Sequence, residues 1–229
     1  MNTGLRLVTI LLPLIVTAGA RPGGVFAQDA KDTKAGKIYE SPLNDFEIAA
    51  PKFCLGTKIQ QRHDETGGMI AFLSDVGQLD RIDFERLDPS VATSLGVADP
   101  VMKQTVYAEH LRSTLLQSNE ASLLATEPLT IGEMQGMFAV AEFPAGGVLE
   151  AVTFREGKMV SERMDSVRGL MVFARGDIIY VLHHEVGVDF DSIWDCGLIG
   201  QGGPQLTDEE RDLAAKEGIE QLYGMIRFK

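Results

Sequence analysis

The most reactive-looking residues of this chain are His183, His184 and Glu185, which close the apolar run Ile178–Leu182. Two imidazoles and a carboxylate suit metal ligation or general-base work. Side chains alternate along a strand, so His183 and Glu185 share one face and His184 takes the other. One strand therefore cannot offer both histidines to one metal. A site would need His183 and Glu185 with a distant partner, His63 or Asp64. His63-Asp64-Glu65 sets an imidazole beside carboxylates, but it adjoins Gly67-Gly68, where turn residues collect anyway. The expectation is a solvated turn at His63 and Asp64, and a strand turning polar as it reaches solvent at His183 and Glu185. No catalytic residue is assigned.

Other chemistry is thinner. Asp189, Asp191 and Asp195 lie around Trp194, and oxygen-rich loops of this kind can hold Ca²⁺. Counted from Asp189 as an EF-hand loop, however, the fifth position is Ile193, the sixth is Trp194 and the twelfth is Gly200, where an oxygen ligand, a glycine and a closing Glu are needed. A solvated acidic loop is expected, and no metal. Met134 and Met137 are three apart in a strand pattern, hence on opposite faces and core fillers rather than a soft metal pair. Arg175-Gly176-Asp177 matches an adhesion tripeptide but reads as a hairpin turn. The sequence has no G-x-S-x-G, HExxH, Walker loop or CxxC, and Gly200–Gly203 is too loose for a phosphate cradle. No cofactor is expected.

The elements that would position these residues centre on Ser166–Val186. Two apolar runs, Gly169–Ala174 and Ile178–Leu182, flank the Arg175-Gly176-Asp177 turn, which is a hairpin signature. Both faces of the second run are apolar, so it should be covered on both sides at the centre of a sheet. Upstream, Ile38–Pro51 suggests a short edge strand, and Lys58–His63 and Met69–Ser74 a hairpin. Leu79–Leu87 alternates with slips of phase that suggest a bulge and a wet face towards an edge. Asp99-Pro100 opens a helix to about Asn119. Strand signals follow at Ser122–Glu127, Met134–Phe143, Val148–Arg155 and Met159–Ser166. Thr207 and Glu210 fit a capping box, and the helix they open runs to about Ile226, with Arg227 near its end.

Residues 1–27 read as a secretory signal peptide: Arg6, then the apolar run Leu7–Val16, then small-residue cleavage sites, with cleavage expected after Ala27. The run is short of the roughly 20 residues that span a bilayer, so no stable membrane insertion is expected after cleavage. Residues 28–37 read as a disordered polar leader and 38–229 as one domain. Cleavage removes two bases and no acid, taking the formal net charge from −12 to −14. Such a chain repels phosphate backbones, so nucleic acid is not expected as a partner. Cys54 and Cys196 are a disulfide candidate in an oxidising compartment. A loop of that length would gain about 4–5 kcal/mol in the chain-entropy model.

Strand pairs, a helix, an antiparallel meander and a C-terminal helix make an α+β layered fold, with helices on the faces of the sheet. This order resembles the PsbP-like and Mog1-like α/β/α sandwich: Phe46-Glu47-Ile48 with Pro51 stands for the short strand before a hairpin, and Gly169–Leu182 for the closing apolar hairpin. The long segment Gly187–Gln205 departs from it. The resemblance implies a non-catalytic protein that binds a partner or assists assembly. Taken together, the expectation is an exported, periplasmic or extracellular binding module with a cell-envelope protein as partner. The alternatives are a metal-dependent or His-based envelope hydrolase using His183, Glu185 and His63, which requires those side chains to converge, and a carrier of a small apolar ligand, which requires a cavity between helix and sheet.

Overall fold

A computed structural model describes residues 31–53, 57–73, 79–116, 121–143, 150–155, 158–163, 166–187 and 207–229. Cys54, Cys196, Asp189, Asp191, Asp195 and the signal-peptide segment lie outside the described residues.

In chain order the elements are β1 (Lys31–Thr33), β2 (Ile38–Glu40), β3 (Phe46–Ala49), β4 (Thr57–His63), β5 (Gly67–Leu73), β6 (Leu79–Arg86), α1 (Pro89–Val97), α2 (Pro100–Leu116), β7 (Ser122–Ile131), β8 (Met134–Phe143), β9 (Glu150–Arg155), β10 (Lys158–Arg163), β11 (Ser166–Arg175), β12 (Ile178–Gly187), α3 (Asp208–Gly224) and β13 (Ile226–Phe228). The main sheet is antiparallel, in the order β1-β4-β5-β6-β12-β11-β8-β7. The hairpin β11–β12 thus occupies its centre, as its two apolar faces require. β9 and β10 form a separate ribbon, and β13-β3-β2 a small second sheet.

The alternation along β12 divides the core. Tyr180 and Leu182 pack with Ala215, Ile219 and Leu222 of α3. Ile179 and Val181 pack with Tyr107 and Leu111 of α2. Helices therefore cover opposite faces, and the fold is an α/β/α sandwich of the α+β class. The small sheet shares the α3 side, where Phe46 and Phe228 meet Tyr180 edge-on or nearly so, at 6.1 and 5.4 Å between centroids. α3 opens on the expected capping box: Glu210 N–H donates to Thr207 Oγ1, and Thr207 N–H donates to Glu210 Oε2 at 2.8 Å. α2 opens on Asp99, whose carboxylate accepts from Met102 N–H at 2.9 Å.

Several expectations need correction. The segment expected as a disordered leader contributes β1, which pairs with β4 at the sheet edge; a three-residue strand held by a neighbour leaves no periodicity to read. β6 is interior, between β5 and β12, and its register is unbroken. Its charged residues Arg81 and Asp83 are only about one-fifth exposed and pair with each other and with His183 on the α2 side. The bulge is in β7, between Leu123 and Ala125. The first strand is two, β2 and β3, with β3 in the middle of the small sheet. α3 stops at Gly224, so Arg227 belongs to β13 and not to the last helical turn.

Candidate functional site

The polar residues of β12 are not reaching solvent. His183, His184 and Glu185 are all buried, at 4%, 6% and 4% exposed. This overturns the reading of a strand turning polar at its wet end: the polarity is internal, and each residue has a polar partner on a neighbouring strand.

On the α2 side the register sets Arg81 opposite His183, Asp83 opposite Val181, and Arg168 opposite Glu185. His183 Nε2 lies 2.8 Å from Asp83 Oδ2, and Arg81 Nε–H donates to Asp83 Oδ1 at 2.8 Å. Burial raises the Asp83 carboxyl, but Arg81 and His183 outweigh it and hold it below its ordinary range. The carboxylate therefore accepts, Nε2 of His183 carries the proton, and Nδ1 keeps a lone pair. Burial pushes the imidazole down to about 4, against the pull of Asp83 and with help from Arg81 and Arg168. His110 of α2 also faces Asp83 and is lowered by burial.

One step along β12, Glu185 accepts from Arg168 Nη2–H at 2.7 Å and from Ser166 Oγ–H at 2.8 Å. The Arg168 guanidinium lies 4.2 Å from the centroid of the Phe143 ring. On the opposite face His184 Nδ1 lies 2.6 Å from Asp80 Oδ1, beneath α3. The two histidines thus point to opposite sides of the sheet, as alternation requires.

His63 does not join them. It is exposed, and the ladder His63–Gly68–Phe84–Tyr180 places it three strands from β12 and three residues along from His183, about 17 Å away at ordinary strand spacings. The convergence needed for a hydrolase site is absent. Asp64 is a turn residue: its carboxylate accepts from Thr66 N–H and Gly67 N–H at 2.9 and 3.1 Å, holding the β4–β5 hairpin. No group of three His, Cys, Asp or Glu residues that could hold a metal is found among the described residues. The adhesion-like tripeptide is a turn with both charges engaged: Arg175 donates to Lys229 O at 2.8 Å, and Asp177 pairs with Arg86 at 3.3 Å.

A groove of about 290 Å³ runs between α3 and the β7–β8 edge, floored by Phe138 and Val140 and flanked by Leu213. Lys216 and Glu127, both lining it, pair at 2.6 Å. Small-molecule sites usually enclose about 300–1,000 Å³, and this groove stands at the lower edge of that range. A different apolar feature stands out at the α1–α2 elbow, where Val97, Val101 and Met102 are 85%, 76% and 58% exposed. The helical spacing of Val101, Ala108, Leu111 and Leu115 predicts one face packed on the sheet, but while Leu111 is buried there, Val101 stands in solvent; α1 itself is missed, although Asp88-Pro89 repeats the cap-and-proline signal of Asp99-Pro100.

Neither a family model nor a curated protein matches the chain. Among solved structures it is similar to the cyanobacterial PsbP (CyanoP) of Synechocystis sp. PCC 6803, at 10% identity and a TM-score of 0.46, covering 90% of this chain and 100% of that one. It is also similar to a protein from Bacteroides thetaiotaomicron VPI-5482, at 15% identity and a TM-score of 0.38 over 86% of this chain; there it spans only 49% of the other's length. A PsbP protein, the family that the order of elements resembles, is thus among the structural neighbours.

Proposed function

We propose that this protein is an exported, non-enzymatic binding or assembly module that acts on a protein of the cell envelope, with the α1–α2 elbow as its contact surface. The observation that carries the reading is the elbow itself. Three large apolar side chains within six residues stand in solvent, while the reactive-looking residues of β12 are committed to internal pairs. Exposed apolar residues gathered at one place favour a partner protein. The acidic surface disfavours nucleic acid and anionic lipid as the partner. No helix among the described residues is long and apolar enough to cross a membrane.

The test is site-specific photocrosslinking in the native envelope, with the photoreactive residue at position 101 or 102 and, as a control, at exposed Lys52. One dominant adduct from the elbow positions, absent from position 52 and lost on Val97→Asp, is expected. Adducts equally frequent at position 52, or none at the elbow, would sink the reading.

A further inference from the structure

Two atoms of the buried polar row remain unmatched. Nε of Arg168 is a donor without an acceptor, and Nδ1 of His183 is left without a donor. Arg168 and His183 are 9% and 4% exposed, and folded proteins leave few such atoms unpaired. The two residues lie on one face of adjacent strands. Arg168 stands opposite Glu185, and Leu170 opposite His183, so they are diagonal neighbours. Diagonal positions are separated by about 7–8 Å, which leaves room for one small intervening group.

The chemistry of that group follows from its neighbours. It must accept from a guanidinium N–H and donate to an imidazole nitrogen. Arg81 and Arg168 are already matched by Asp83 and Glu185, so an ion would add an unbalanced charge to a buried row. We propose that a single neutral hydroxyl binds between Arg168 and His183, accepting from Nε–H and donating to Nδ1. It completes one hydrogen-bonded chain across β11, β12 and β6: Ser166, Glu185, Arg168, the hydroxyl, His183, Asp83 and Arg81. Joined in this way, the pairs polarise one another and act as a unit. A buried water supplies the hydroxyl, or a small neutral polyol does; Arg81 and Asp83, about one-fifth exposed, form the solvent edge of the row.

The experiment is a long-range ¹H–¹⁵N correlation of the imidazole rings in the mature protein, repeated after urea unfolding and refolding in buffer alone. His183 is expected as the Nε2–H tautomer, with Nδ1 shifted upfield of an unbonded acceptor. Persistence of that shift after refolding identifies water. Its loss on refolding and return with added glycerol identify a polyol. Arg168→Lys keeps the charge beside Glu185 but removes Nε–H, and should move Nδ1 to the unbonded position without changing the tautomer. An unbonded Nδ1 in the unmodified protein, a proton on Nδ1, or a shift insensitive to R168K overturns the proposal. If R168K does not fold, the ring shift of the unmodified protein decides alone.

Discussion

Gly218 gives the sharpest test of how α3 meets the sheet. It lies in the helix interior, where glycine costs about 1 kcal/mol relative to alanine, so Gly218→Ala should stabilise the protein if propensity alone governed. The packing says otherwise. A Cβ at this position would sit 2.1, 2.4 and 2.5 Å from atoms of the His184 ring. The ring is held by Asp80 at 2.6 Å, with both side chains almost fully buried. Nor can the helix slide easily, because a Cβ on Gly169 of β11 would already meet the Ala215 carbonyl at 2.6 Å. Overpacking costs about 1–3 kcal/mol, and breaking the buried His184–Asp80 contact about 1–3 kcal/mol more. Against a gain of about 1 kcal/mol, the net loss is about 3 kcal/mol, or roughly 6–12 °C in Tm for a domain of this size. Urea unfolding followed by far-UV circular dichroism measures it. Gly224→Ala is the internal control: that glycine ends α3 with nothing near its missing Cβ, so alanine there should not destabilise. A G218A protein as stable as the parent would refute the account of the interface.

Stability should also fall as pH drops from about 6.5 to 4. In that window an unfolded His183 binds a proton and the folded one, pushed down to about 4 by burial, does not. The slope from this group is at most about 1.4 kcal/mol per pH unit. His110, lowered in the same sense, adds to it, and Asp83, lowered in the fold, extends the loss below its unfolded value of 3.8. Urea midpoints at pH 7, 5.5 and 4 read the effect; His183→Gln should flatten it, and an equally steep dependence in that variant would clear His183 of the role. Gln60 is 1% exposed with both amide atoms unpartnered, so Gln60→Leu, close in volume, should raise stability by about 1 kcal/mol. A Tm that falls would mean that the amide is serving a bound group.

The parts of this fold that were legible in the sequence are those fixed by local rules. Ile178–Leu182 alternates between two apolar faces because each face meets its own helix, and Thr207 with Glu210 satisfies orphan helix N–H groups within one turn. Neither depends on distant residues. The short strands β1 and β13 were invisible for the opposite reason: three residues carry no period, and only β4 and β3 make them strands. β6 was misplaced at an edge because Arg81, Asp83 and Glu85 look like a wet face. A charged residue reads as exposed until its partner is known, and the partners of Arg81 and Asp83 include His183, 100 residues from Asp83.

The same reasoning explains why the candidate site was half read. His183 and His184 were found by type, and their opposite orientation by alternation. Their environment was not, since Asp83, Asp80, Arg168 and Ser166 come from strands whose order in the sheet no local pattern specifies. Asp83 and Arg168 meet His183 and Glu185 only because β12, last of the strands in the main sheet, inserts between β6 and β11. That insertion sets Arg168 against Glu185 and Asp83 against the neutral His183, so that four polar groups that each look like surface become two matched pairs inside the sheet. A buried pair is strongly destabilising to break, costing about 3–5 kcal/mol, yet is often no more stable than a well-packed apolar equivalent. Matched charges on adjacent strands penalise a slip of register that aliphatic side chains would tolerate. The polar row therefore belongs to the specification of strand order, whereas the exposed apolar side chains of Val97, Val101 and Met102 stand apart from it, at the adjoining ends of α1 and α2.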